Sequence, residues 1–392
     1  MLFSDRSAFG GGVSSFGLAL EAARARGGLL DLTVSNPTRC GFQYSAEALL
    51  SPLADPAALH YAADPLGALS AREAVSQLYR DAYGAEVSPE RILLTASTSE
   101  SYSYLLRLLC NPGDAILVPS PSYPLFDLLT RLHDVELVPY PLVYHDGWQI
   151  DPASLDAAVT PRTRAIVVIH PNNPTGHFCS VADRAALYET AERHGLPLIV
   201  DEVFLDYPLE EERGVSFAVE SASRVLTFTM GGLSKLLALP QMKVAWTAVT
   251  GPSALQEEAI ERLEVIADTF LSVATPQQVA LPVWLRGRHT IQGEIKDRLN
   301  ANLAALDAAI GGTVINRLRV DAGWAAVLRV PAMERDEALA VRLMEEAGVV
   351  AHPGSLFGFP EHGWLVVSLL IPTAVFAEGV ARIVAVCMNQ TS

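Results

Sequence analysis

The sequence predicts an α/β fold, with a mostly parallel sheet in a large domain and a smaller α+β domain beside it. Three observations predict it. Short apolar or β-branched runs at 115–118, 165–169, 198–200, 225–228 and 244–249 are each bounded by turn residues. Continuous runs of this kind suit strands buried on both faces of a parallel sheet. Segments of helical period lie between them, at 99–109, 181–194 and 252–268, and strand–helix alternation indicates an α/β domain. Finally, 392 residues exceed one typical domain and leave ample core for two.

The C-terminal third changes character. Residues 290–309 read as a long helix leading into an α+β portion, with strands near 324–330 and 365–370. The expected division is a large domain over 45–285 and a small one built from 1–44 and 286–392. No internal repeat or low-complexity linker is present.

Composition narrows the function classes. Half of the residues are hydrophobic and 18% are charged, which argues against disorder. A net charge of −16 disfavours nucleic acid and anionic membranes as partners, since both need a positive surface. Cys40, Cys110, Cys179 and Cys387 form no CxxC pair, and the nine histidines form no ligand-spaced pair, so neither a disulfide framework nor a metal site is indicated. Free thiols fit a reducing compartment. The first residues show no basic segment followed by an apolar run, and no stretch reaches the ~20 apolar residues of a membrane span. A cytoplasmic location is expected.

Three motifs carry chemistry. His-Pro-Asn-Asn-Pro-Thr-Gly (170–176) follows one apolar run, Asp-Glu-Val-Phe (201–204) a second, and Gly-Gly-Leu-Ser-Lys (231–235) a third. In open α/β sheets ligands sit outside the carboxyl ends of the strands, so Asn173, Asp201 and Lys235 are placed for one shared site. Taken singly, each has a plainer reading. The first is a turn, the second a strand end with two solvated carboxylates, the third a solvated lysine.

In that order and spacing the motifs resemble those of the class I/II aminotransferases, which have the aspartate aminotransferase fold (fold type I) and use pyridoxal 5′-phosphate (PLP). The resemblance covers roughly residues 31–372. It implies that Lys235 forms a Schiff base with PLP and then moves the proton of the substrate α-carbon, a task for a neutral amine of depressed pKa. Asp201 keeps the pyridine nitrogen protonated, and Asn173 reaches the ring hydroxyl and the substrate carboxylate. Ser234 hydrogen-bonds the phosphate. Lys243 stands where the family usually has an arginine to clamp that phosphate, a point charge in place of a bidentate fork. Ser97 and Thr98, just before a helix, complete the phosphate cup, where backbone N–H groups at a helix N-terminus favour an anion. An ordinary N-cap at Ser97 or Thr98 is compatible with that role. Tyr123 is implied to stack on the ring, and Tyr61 to reach the phosphate of a neighbouring subunit. A homodimer with shared active sites follows from the resemblance.

Two departures stand out. Where the family has a tyrosine donating to the PLP phenolic oxygen, this chain has Phe204. Where it has an arginine that forks the substrate α-carboxylate, this chain has Leu365 or Val366, depending on register. Arg39, in the N-terminal segment that covers the site in relatives, is the expected substitute. Arg329 is a weaker one, because alternation points it away from Trp324, which is expected to face the pocket. Alternatively the substrate lacks a free α-carboxylate, or the PLP site serves a protein with reduced or non-transaminase activity. The activity implied is transfer of an amino group from an amino acid or amine to a 2-oxo acid. A lyase or decarboxylase of the same fold shares every motif. A PLP-binding regulatory module is disfavoured, because no DNA-binding segment precedes residue 31.

Overall fold

A computed structural model describes residues 2–9, 14–210, 214–220 and 223–389. Its strands in chain order are β1 (Leu30–Asp31), β2 (Ile92–Thr95), β3 (Ala115–Ser120), β4 (Glu136–Tyr144), β5 (Trp148–Ile150), β6 (Thr163–Ile169) and β7 (Leu198–Asp201). They continue with β8 (Thr227–Gly232), β9 (Ala245–Thr250), β10 (Asn316–Arg317), β11 (Ala325–Arg329), β12 (Val349–Val350), β13 (His352–Pro353) and β14 (Trp364–Ser368). Eight form one sheet in the order β2-β9-β8-β7-β6-β3-β4-β5. The central pairs from β8 to β4 are parallel, whereas β9 runs antiparallel to both β8 and β2. A second, antiparallel sheet has the order β10-β11-β14-β13, and β1 pairs with β12.

Period-two alternation explains why the central strands read as unbroken apolar runs. Along β6, Ala165, Val167 and Ile169 face the core that includes Leu105 and Leu106 of the helix Thr98–Leu109 and Leu263 of the helix Ser253–Asp268. Ile166 and Val168 face the opposite core, with Leu187 and Ala191 of the helix Val181–His194. Both faces are covered, so both register positions over 165–169 are apolar. The helix Val181–His194 starts with a capping box, Ser180 and Asp183 each accepting the other's backbone N–H, and ends at Gly195 in the left-handed region.

Sequence and structure differ at β8, expected over 225–228 but running from Thr227 to Gly232. Apolarity ends at Phe228, but pairing continues through Gly231 and Gly232, which stand opposite Trp246 and Ala245. A Cβ on Gly231 would sit 2.8 Å from the Trp246 indole, so the ring of β9 covers a bare backbone. β4 is not among the expected strands; it carries Pro139 and Pro141. The long helix His289–Ile310 and the strands β11 and β14 lie where the sequence places them. No helix among the described residues is long and apolar enough to cross a membrane.

Candidate active site

A cavity of about 390 Å³ opens at the carboxyl edge of the parallel strands. The topology explains its lining. Asp201 is the last residue of β7, Asn173 follows β6, Tyr123 follows β3, and Ser97 and Thr98 follow β2. Lys235 comes three residues after β8. β9 runs the other way, so it is the segment before its first residue, with Lys243, that reaches the same edge. All of these residues line the cavity, as do Phe204, Ser234 and Trp324.

Lys235 is enclosed. Its Nζ lies 5.5 Å from the Phe204 ring centroid and 5.1 Å from that of Trp324. Burial holds the amine below the usual lysine range, opposed by the Asp201 carboxylate. The Tyr207 hydroxyl donates to the carbonyls of Lys235 and Leu236, at 2.8 and 3.3 Å, and fixes the turn that presents the amine. Ala238 and Lys243 both adopt positive φ, 55° and 53°, folding the chain back so that Lys243 rejoins the cavity.

Asp201 accepts from the Val203 amide at Oδ1 and from the Tyr102 hydroxyl at Oδ2, each at 3.2 Å. Burial pushes its carboxyl up to about 6, against the pull of those hydrogen bonds and of Lys235. Such a carboxylate is suited to a cationic partner, which would bring it back down. Glu202 is not the solvated neighbour that a strand end suggests. It is buried, and accepts from the Ser216 hydroxyl at 2.7 Å and the Phe217 amide at 2.6 Å.

The 170–176 segment is indeed a turn, with Gly176 N donating to Asn172 O at 2.7 Å. His170 is a buried structural residue. The Cys179 amide donates to its Nδ1, Nε2 donates to Val215 O, and burial pulls its pKa to about 3. Asn173 projects to the cavity. Ser97 caps the 12-residue helix beginning at Thr98, accepting from Glu100 N at 3.2 Å, and this helix start lines the cavity through Ser97, Thr98 and Ser99.

Other expectations fall outside the cavity. Arg39 is exposed and does not line it. Tyr61 is 74% exposed on the surface. Arg329 lies with its guanidinium over the Trp364 ring and donates to His362 O. The register question at β14 has a clear outcome, since Val366 lines the cavity and Leu365 is buried in the core of the small sheet. Sequence reasoning missed Tyr102, whose position four residues after Thr98 puts it one turn along the same helix face. It also missed Thr33, Ser35, His352 and Ser368, which carry no motif.

The residues present fit PLP. The helix start at Thr98, Ser234 and Lys243 offer donors and a cation for a phosphate, the raised carboxyl of Asp201 offers a partner for a ring cation, and the amine of Lys235, held below its usual range, lines the same cavity.

The fold and the lining of this cavity are those of an α/β enzyme scaffold, and comparison with known proteins gives the family. Residues 29–383 match the family model "Aminotransferase class I and II", and the chain belongs to that family. It is 33% identical over 286 residues to an alanine aminotransferase of Mycobacterium tuberculosis, covering 72% of this chain and 65% of that protein. It is 33% identical over 264 residues to the glutamate-pyruvate aminotransferase AlaA of Escherichia coli K12, covering 67% of this chain. The chain thus spans 65% of the length of each of these curated relatives. The solved structure of an alanine aminotransferase from Pyrococcus furiosus superposes with a TM-score of 0.89 at 23% identity, covering 99% of this chain and all of that one, which shows the fold.

Proposed function

We propose that the protein is a PLP-dependent aminotransferase that moves an amino group from an amino acid or amine to a 2-oxo acid. The observation that carries this reading is Lys235, a half-buried amine of lowered pKa in one cavity with the half-buried Asp201, whose carboxyl is raised. Bound there, PLP supplies an aldehyde to take up the amino group and a pyridinium ring to draw electrons from the substrate α-carbon.

The chain's own residues do the rest. Lys235 holds the cofactor through Nζ, then serves as the base that takes the α-proton and returns it. Desolvation keeps that amine neutral enough to act as a base. Asp201 keeps a proton on the ring nitrogen, and Tyr102 orients the carboxylate. Ser97, Thr98, Ser234 and Lys243 bind the phosphate, Tyr123 covers a ring face, and Asn173 reaches the ring oxygen. Phe204 and Trp324 exclude water from the amine. Tyr61, exposed in the single chain, reaches the phosphate of a second copy in a homodimer.

The named relatives make alanine, glutamate and pyruvate the first compounds to try. The test is a donor screen on PLP-loaded protein, following the cofactor's absorbance and the ketone formed. A donor-driven absorbance change reversed by a 2-oxo acid is the expected result. Release of carbon dioxide or ammonia without return of the amino group would instead make it a decarboxylase or lyase.

A further inference from the structure

Among the described residues lining the cavity, three side chains carry or can take a positive charge: Lys235, Lys243 and His352. The first two are committed to the cofactor in the reading above, on which this inference rests. His352 is left over. It stands on β13 directly opposite Val366 of β14, in antiparallel register. Opposed residues of an antiparallel pair project to the same face, so the imidazole and the Val366 side chain enter the cavity side by side.

The geometry points to His352 as the residue that recognises the substrate's α-carboxylate, a specificity-determining imidazole beside a position where valine can make no such contact. Its Nδ1 is shielded from solvent and has no hydrogen-bond partner, so the other ring nitrogen is the one turned to the cavity. With nothing to donate to at Nδ1, the neutral ring keeps its proton on Nε2, as a donor. The Phe357 ring packs edge-on at 5.7 Å and holds the imidazole plane. Thr33, Ser35 and Ser368 complete a polar wall on this side of the cavity.

The charge environment gives the recognition a pH dependence. Burial pulls the imidazole below the usual histidine range, and Asp31 on the neighbouring β1 opposes this. The other charged groups on elements packed against β13 are Asp336, Glu337 and Arg342 of the helix Asp336–Arg342. Asp336 is engaged by the amides of Gly363 and Trp364. Lys235, Lys243, Asp201 and Tyr123 line the same cavity as His352. A bound carboxylate raises the imidazole's pKa in the complex. Carboxylate affinity is therefore full below the ligand-free pKa of His352, and is lost as pH rises through the pKa of the complex.

The test uses PLP-loaded protein and two isosteric ligands without an amino group, isobutyrate and isobutyramide. Neither titrates near neutral pH. Their dissociation constants are read by tryptophan fluorescence across pH. In the wild type, isobutyrate should weaken relative to isobutyramide as pH rises. His352→Gln should weaken isobutyrate about 10- to 100-fold at low pH, flatten its profile, and leave isobutyramide unchanged. Adding Val366→Arg to that variant should restore isobutyrate binding without the pH dependence. Unchanged isobutyramide binding reports an intact site in each variant. Should His352→Gln fail to fold, His352→Asn takes its place with the same expected loss, and a pH-independent wild-type ratio of the two ligands overturns the inference. So does an isobutyrate affinity that Arg39→Ala lowers and His352→Gln does not. Failure to take up PLP overturns the proposed function and this inference with it, whereas uptake without these ligand effects overturns only the inference.

Discussion

Lys235 Nζ, three residues past the end of β8, and the Trp324 ring, one residue before β11, lie 5.1 Å apart. The contact has two opposing effects on the amine. An aromatic face favours a cation by about 0.5–2 kcal/mol. Full desolvation can lower a lysine pKa by up to about 3–5 units, roughly 4–7 kcal/mol. Desolvation wins, and the amine titrates below its ordinary range. Trp324 in turn packs edge-on against the rings of Phe204 and Tyr207, at 5.3 and 5.2 Å.

Lys235 is therefore the expected site of covalent attachment. Borohydride reduction of the PLP-loaded protein, followed by peptide mapping, should place the label on Lys235. Lys235→Ala should lose both the label and turnover. A label on another lysine would show that the amine in the cavity is not the one that reacts.

In the proposed reading Phe204 offers the cofactor's ring oxygen no hydroxyl donor, and the Tyr207 hydroxyl is spent on the carbonyls of Lys235 and Leu236. A donor to that oxygen stabilises the deprotonated form. Phe204→Tyr should thus lower the pKa seen in a pH–absorbance titration of the PLP-loaded protein, by roughly a unit. An unmoved curve would mean that another group already makes the bond.

Gly176 should tolerate no side chain. Its φ is +70°, and a Cβ there would stand 2.3 Å from Val320 Cγ2 and 2.5 Å from the Ala322 carbonyl. The same residue accepts the amides of Asp321 and Ala322, tying the asparagine loop to the segment that leads to Trp324. Gly176→Ala should lower stability by about 2–4 kcal/mol in denaturant unfolding of the apo protein. A loss below about 1 kcal/mol would show that the loop relaxes freely.

Much of the site was legible because its residues sit at strand ends and in short motifs. Asn173, Asp201 and Lys235 each follow a run whose burial on both faces announces a parallel strand, and topology then brings three strand ends to one edge. Lys243 was readable only from resemblance, since its place depends on β9 reversing direction, which apolarity does not encode. His352 and Val366 were not jointly readable. They are fourteen residues apart in sequence, and their pairing depends on the register of a two-residue strand. Arg39 was the expected carboxylate clamp because it lies in a segment that reaches the cavity, but Thr33 and Ser35 line the cavity and Arg39 points to solvent.

Asp201 gives a prediction in which stability and function move in opposite directions. Its carboxyl is raised from 3.8 to about 6 in the folded apo protein, chiefly by burial. A raised carboxyl costs no stability below the unfolded pKa, where it is protonated in both states. The cost grows as pH rises between the two values and is complete above about 6. Asp201 is half-exposed at the cavity wall, so the cost is at most about 3 kcal/mol. Asp201→Asn keeps an oxygen for the Val203 amide or the Tyr102 hydroxyl and removes the charge. Unfolding of the apo proteins in denaturant should show the variant more stable than wild type at pH 8 and equal to it near pH 4. PLP should reverse the order at pH 8, because its ring cation stabilises only the carboxylate. A variant that is less stable at pH 8 in the apo state would mean that Asp201 is already paired with Lys235 strongly enough to offset its burial.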